Sequence, residues 1–187
     1  MLKKLFKSKE YRVLTDGEIS MLKSLFNDGI NYQDVKIYNS GYLPFGMQNS
    51  DVAMSPNGHI YFDSKHFIDD FSVANTSTKM WFMHEMTHVW QYNLGYNILL
   101  NGFITAISGK YYNSKAYCYD NQCEVLDFNK FSFEQQAEII SHYYGAKFLK
   151  VTKYQESLSY YEATLKEFFL NQKNKNLLPK MRLGQLT

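Results

Sequence analysis

The sequence has 187 residues and contains little cysteine and little proline, which limits what the chain can be. Its two cysteines, Cys118 and Cys123, lie five positions apart with no further cysteine to complete a zinc knuckle. We expect two free thiols in a reducing compartment, because a disulfide would require export. The three prolines all lie outside residues 57–178, so this long section is free to be largely helical.

The chain also lacks a strong net charge and a long apolar run. A formal net charge of +2 gives no electrostatic argument for nucleic acid as a partner. The most apolar run, residues 96–109, is interrupted by Asn101 and Gly102. Its length suits a buried helical hairpin or an interfacial segment better than a transmembrane helix.

We expect one domain that spans residues 1–187. Basic residues are concentrated in 1–12 and 171–187, which we expect to be solvated, mobile ends of this domain. The alternative is that one of these ends is a docking arm. The first twelve residues carry positive charge but no apolar stretch behind it, so we expect no cleaved secretory signal. The predicted location is the cytoplasm of the producing cell, with export, if any, by a route that needs no signal peptide.

Helix and turn signals along the chain predict an α+β fold with few strands and many helices. Thr15 and Glu18 form a capping box that begins a first helix, and residues 34–39 predict a strand. Residues 51–63 predict a β-hairpin that turns at 56–58. Further helices are expected at 76–94, 97–108, from Ser132 to about 150, and at 153–169.

The segment MHEMTHVWQ, residues 83–91, places His84 and His88 four positions apart on the helix predicted for 76–94. Residues at this spacing lie one above the other, so both imidazoles can reach one zinc ion. Glu85 is offset by one residue, or about 100° around the helix, and is free to act as a general base on an attacking water. The alternative is a pair of half-exposed histidines on an amphipathic helix.

A catalytic zinc commonly has three protein ligands, and no third histidine follows at a short spacing. The best donor is the helix that begins at Ser132, because Glu134, Glu138 and His142 share one of its faces. Either glutamate could be the ligand. In the alternative, Glu134 complements the helix N-terminus and the other two face solvent.

HEMTH followed about 46 residues later by EQQAE resembles a gluzincin metallopeptidase. LTDGEI, YLPFG, MSPNGHIYF, MHEMTHVWQYNLGY and FEQQAEII also resemble metallopeptidase domains found with Rhs and Vgr proteins of bacterial type VI secretion systems, over about residues 13–146. The resemblance implies a zincin-like domain in which Glu134 binds Zn²⁺ and Glu138 orients a histidine. Such domains often have aspartate where His142 stands, so His142 could support a ligand, contact substrate or replace a ligand.

The predicted function is therefore zinc-dependent hydrolysis of an amide bond in a peptide, a protein or a peptide stem of the bacterial wall. The resemblance suggests an effector with a secretion-system carrier and a cognate inhibitor as partners. The alternative is a non-catalytic, metal-stabilised binding or adaptor module. The edge of the strand GHIYF could bind an extended substrate, or it could instead pack against another strand. Four tyrosines near the expected site are candidates to stabilise an oxyanion: Tyr117, Tyr119, Tyr143 and Tyr144.

Overall fold

The computed structural model describes residues 10–44, 47–111, 115–119 and 125–180. Seven helices and one small sheet make up the regular structure of these residues. The strands are β1 (Tyr11–Val13), β2 (Lys36–Asn39) and β3 (Ile60–Phe62). The helices are α1 (Asp16–Phe26), α2 (Thr76–Asn93), α3 (Ile98–Ile107), α4 (Phe133–Lys147), α5 (Thr152–Gln155), α6 (Leu158–Thr164) and α7 (Lys166–Leu170). The predicted α+β class, mostly helical with a small sheet, is confirmed.

The sheet has the order β1-β2-β3, with β1 antiparallel and β3 parallel to β2. The predicted hairpin was only partly right. One side of it is β3, but the other side is reduced to a single antiparallel bridge between Met54 and Tyr61. All three β3 residues are buried, although β3 is the last strand in the sheet order.

Arg12, the last residue of the basic segment 1–12, is held against helix α1. Arg12 lies in β1 and makes a two-pronged ion pair with the fully buried Glu18 of α1, at 2.7 and 2.8 Å. Glu18 also accepts hydrogen bonds from the backbone N–H groups of Thr15 and Phe71. The expected capping box is present, and its glutamate joins the first strand to the first helix.

Helices α2 and α4 pack side by side and form the centre of the fold. Residues 82–91 of α2 are buried on every side, not along one stripe as an amphipathic helix would be. Gly145 lets α4 approach closely, because a Cβ there would lie 2.8 Å from the sulfur of Met80. Asn75 caps α2, and Ser132 and Gln135 form a capping box at the start of α4.

The expected single helix at 153–169 is wrong, since this segment divides into α5, α6 and α7. Non-helical backbone at Ser157 separates α5 from α6, and Leu165 separates α6 from α7. The bends carry the segment around the core, so that Tyr161, Leu165 and Phe168 are all buried. Phe168 packs edge-on against Trp90.

Residues 171–180, which belong to the basic end expected from 171 onward, pack against the core. Gln172 is buried and its carbonyl accepts a hydrogen bond from the indole of Trp90 at 2.7 Å. Leu177 is buried as well. Residues 1–9 and 181–187, the remainder of the two predicted basic ends, lie outside the described residues. Within the described ranges, no helix has the length and apolar character needed to cross a membrane.

Candidate metal centre

The metal-centre residues come from two packed helices, α2 and α4. His84 and His88 lie one turn apart on α2, and Glu134 lies in the first turn of α4. All three are buried. The Nε2 atoms of the two histidines are 3.2 Å apart, and Glu134 Oε2 lies 3.2 Å from His84 Nε2 and 3.1 Å from His88 Nε2. The three atoms thus form a nearly equilateral triangle.

The triangle has the size expected for three ligands of one small divalent cation. Bonds of about 2.0–2.1 Å at tetrahedral angles separate neighbouring ligand atoms by about 3.3–3.4 Å. Two imidazoles and one carboxylate are also the donor set of catalytic zinc sites that leave one position open. These residues, His84, His88 and Glu134, could therefore hold a metal ion, and their chemistry fits zinc.

Hydrogen bonds on the far side of each ring fix which nitrogen faces the triangle. His88 Nδ1 lies 2.9 Å from Gln91 Oε1, while the Gln91 amide donates to the carbonyl of Phe133 and to Gln136 Oε1, both at 3.0 Å. Because Gln91 presents its oxygen to His88, the proton of a neutral ring lies on Nδ1 and the lone pair of Nε2 faces Glu134.

Glu138 performs the same task for His84. Its Oε1 lies 3.2 Å from His84 Nδ1, and its Oε2 lies 2.9 Å from His142 Nε2. His142 in turn lies 2.5 Å from the Tyr119 hydroxyl through Nδ1 and stacks on Tyr154. Glu138 and His142 therefore support the triangle from outside it, one behind the other.

Glu85 lies beside the triangle and outside it. It is buried, and Ser55 donates a hydrogen bond to its Oε2 at 2.7 Å. Ser55 follows Met54, whose backbone pairs with Tyr61. The outer side of β3 at Tyr61 is thus covered, so the second alternative for the edge of GHIYF, packing against another segment, holds at this residue. The segment that covers it carries Ser55 to the site.

Two tyrosines outside α2 and α4 reach the same carboxylates. Tyr111 donates a hydrogen bond to Glu134 Oε1 at 2.7 Å, which leaves Oε2 for the triangle. The ring centre of Tyr117 lies 6.1 Å from that of His84. Of the four tyrosines considered as oxyanion donors, Tyr117 is the one beside His84. Tyr119 binds His142, and Tyr143 and Tyr144 belong to the buried core.

The electrostatics of the cluster fit a site for positive charge. Burial lowers the pKa of His84, but hydrogen bonds to Glu134 and Glu138 outweigh it and raise that pKa to about 10. Burial raises the pKa of Glu134, and the two imidazoles outweigh it, so the net shift is downward. Burial and the Glu134 charge together raise the pKa of the Tyr117 hydroxyl.

Three residues of the site escaped the sequence analysis: Ser55, Gln91 and Tyr111. Gln91 could have been found, because it lies three positions after His88 on the same helix. Ser55 lies in the motif MSPNGHIYF, but no spacing linked it to the histidines, and Tyr111 lies in none of the motifs. Both residues approach the site through tertiary structure. Cys118 is exposed and free, whereas Cys123 lies outside the described residues.

No protein-family model matches the sequence. Among characterised proteins, the chain is 37% identical over 138 residues to the type VI secretion system spike protein VgrG2b of Pseudomonas aeruginosa. The match covers 73% of this chain but only 13% of the spike protein. The chain therefore corresponds to a small part of that protein.

Among solved structures, the chain is similar to the effector domain of Pseudomonas aeruginosa VgrG2b. The TM-score is 0.67 and the identity is 29%, over 88% of this chain and 87% of that domain. The two comparisons agree, since sequence and fold both resemble one spike protein and the structural match is to its effector domain.

Proposed function

We propose that this chain is a zinc-dependent metallopeptidase that acts as an effector associated with type VI secretion. The observation that supports the chemistry most directly is the buried triangle of His84 Nε2, His88 Nε2 and Glu134 Oε2, with edges of 3.1–3.2 Å. The similarity to the VgrG2b effector domain supports the secretion-associated role and a spike-type carrier as partner. It also supports export by a route that uses no signal peptide.

The residues around the triangle have separate roles in this proposal. His84, His88 and Glu134 would bind zinc, which when bound polarises a carbonyl and lowers the pKa of a coordinated water. Glu85 is the general base, which takes a proton from the attacking water and returns it to the leaving amine. Because Ser55 occupies Glu85 Oε2, the proton acceptor is Oε1. Tyr117 is the candidate donor to the developing oxyanion.

The substrate class in this proposal is a peptide bond in a protein or in a peptide stem of the bacterial wall. We propose to test cleavage of casein, an unstructured protein, and of purified wall peptides, with products identified by mass spectrometry. Metal content measured on the same samples establishes whether zinc is present.

Glu85→Gln is the decisive variant. We expect it to retain zinc and folding but to lose cleavage, because an amide cannot accept the proton. Glu167→Gln, at an exposed position on α7, is the matched control and should behave as wild type. Zinc-loaded wild type that cleaves neither substrate, or a biological effect that survives Glu85→Gln, would instead support the binding or adaptor module.

A further inference from the structure

Helix α3 (Ile98–Ile107) has a large apolar face that points away from the protein. Four side chains on this outer face are well exposed: Leu99 47%, Leu100 49%, Phe103 64% and Ile107 71%. At about 100° per residue they fall within about 100° of arc around the helix. They form one continuous surface, in contrast to the scattered apolar residues that soluble proteins commonly expose.

Each polar side chain on or next to α3 makes a hydrogen bond to the local backbone. Asn97 accepts from the N–H of Leu100, and Asn101 donates to the carbonyl of Asn97. Thr105 donates to the carbonyl of Asn101, and Ser108 donates to that of Thr105, each at 2.8 Å. All four polar side chains of residues 97–108 thus bond to the local backbone, as a hydrocarbon environment requires.

Charge is also absent from this part of the sequence. Residues 93–109 contain no aspartate, glutamate, lysine or arginine, and the first charged residue after them is Lys110. A protein partner commonly forms one hydrogen bond per 100–200 Å² of interface, which the outer face of α3 is poorly equipped to provide. Four side chains also fall well short of the roughly 800 Å² per partner that a stable dimer buries.

We propose that the outer face of α3 binds the surface of a lipid bilayer, with the helix lying in the plane of the membrane. Ten residues make a helix about 15 Å long, half the thickness of the hydrocarbon core, so α3 lies on the bilayer and does not cross it. Leu99, Phe103 and Ile107 enter the acyl boundary, and Lys110 at the end of the segment lies at the level of the headgroups.

The residues on either side of α3 lie near the metal centre, so membrane binding through α3 would also position that centre. Tyr96 precedes the helix, and its ring centre lies 6.0 Å from that of Phe133, the residue directly before Glu134. Tyr111 follows the helix and donates to Glu134 Oε1. Because both flanking tyrosines lie near Glu134, binding through α3 would hold the metal centre close to the lipid surface.

The test is co-sedimentation of the full chain with phosphatidylcholine vesicles and with vesicles that also contain phosphatidylglycerol. We expect wild type to pellet with both kinds, and Phe103→Ser/Ile107→Ser to lower its partition coefficient about tenfold or more. The matched control is Val73→Ser/Leu170→Ser, which changes side chains that are 79% and 72% exposed elsewhere and should bind as wild type. Should the double variant fail to fold, Ile107→Asn alone replaces it.

The proposal is overturned if wild type stays in the supernatant with both vesicles, or if the α3 variant binds equally well. Binding to anionic vesicles alone that the variant does not change would indicate lysine electrostatics instead. A wild-type dimer that the variant converts to monomer would show that the face binds a second copy. The vesicle assay needs neither zinc nor turnover, so its outcome is independent of the proposed function. Glu85→Gln should therefore bind vesicles as wild type does.

Discussion

Glu138 Oε1 lies 3.2 Å from His84 Nδ1, on the side of the ring opposite the nitrogen that faces Glu134. The two glutamates of α4 therefore contact the same imidazole from different sides. Both were candidates for the third ligand, and only Glu134 also contacts His88. Because Glu134 completes the triangle with both histidines, we propose that it is the third ligand and that Glu138 supports His84.

The two alanine variants should therefore differ in zinc affinity. We expect Glu134→Ala to abolish stoichiometric zinc binding, because one of three ligands is lost. Glu138→Ala should weaken binding by about 10–100-fold, as the loss of an outer hydrogen-bond partner typically does. Competition titration with a chromophoric chelator measures both, and the reverse order of the two effects would exchange the roles.

Ser55→Ala tests whether the hydroxyl positions Glu85. Loss of its bond to Oε2 frees the carboxylate to rotate, so we expect turnover to fall about tenfold with zinc content unchanged. Ser141→Ala is the matched control, because Ser141 is an equally buried serine that donates to the carbonyl of Met80 instead. Ser55→Thr should restore most of the turnover. Equal turnover in Ser55→Ala and wild type would remove Ser55 from the mechanism.

Arg12→Ala should destabilise the fold even though it lies near the N-terminal end. The change leaves the Glu18 carboxylate fully buried without its cationic partner, at a cost of about 3–5 kcal/mol in the free energy of unfolding. Urea denaturation measures the loss. Lys173→Ala removes an exposed ion pair with Asp28 and should leave the midpoint unchanged. Arg12→Ala with the same midpoint as wild type would mean that β1 contributes little to stability.

Sequence patterns predicted the helices near the site well, because their signals are local. The capping residues of α1 and α4 lie within three positions of the groups they bind, and His84 and His88 share a face by helical spacing alone. Tertiary contacts decided the rest. Leu165 is buried in the core at the point where a helix predicted to be continuous divides into α6 and α7. Arg12 is held by an ion pair with the buried Glu18, six positions later in the sequence.

The site residues likewise divide into those that local sequence patterns predicted and those that depend on tertiary packing. The choice between Glu134 and Glu138 could not be made from the sequence, since both lie on one face of α4. It depends on how α4 is placed beside α2, and that packing depends on contacts such as Gly145 against Met80. Ser55 lies in MSPNGHIYF and Tyr111 in a segment with no motif, but no sequence spacing relates either of them to α2 or α4. Only the folded chain brings them to the carboxylates.

Zinc binding should release protons, because the metal-free site retains one. With a His84 pKa of about 10, the ring is protonated at neutral pH when no metal is present, and it must lose that proton to act as a ligand. The displaced proton makes apparent zinc affinity rise with pH, by about tenfold per unit for one proton between pH 7 and 9, and level off above pH 10.

Calorimetric titration in buffers of different ionisation enthalpy measures the number of protons released. We expect about one at pH 8 for wild type and fewer in Glu138→Gln, because that variant removes one of the carboxylates that hold the His84 pKa high. Lys173→Ala, remote from the site, should release as many protons as wild type. A zinc affinity that is constant from pH 7 to 9 would mean that His84 is neutral in the metal-free protein, with its Nε2 lone pair free to bind the metal.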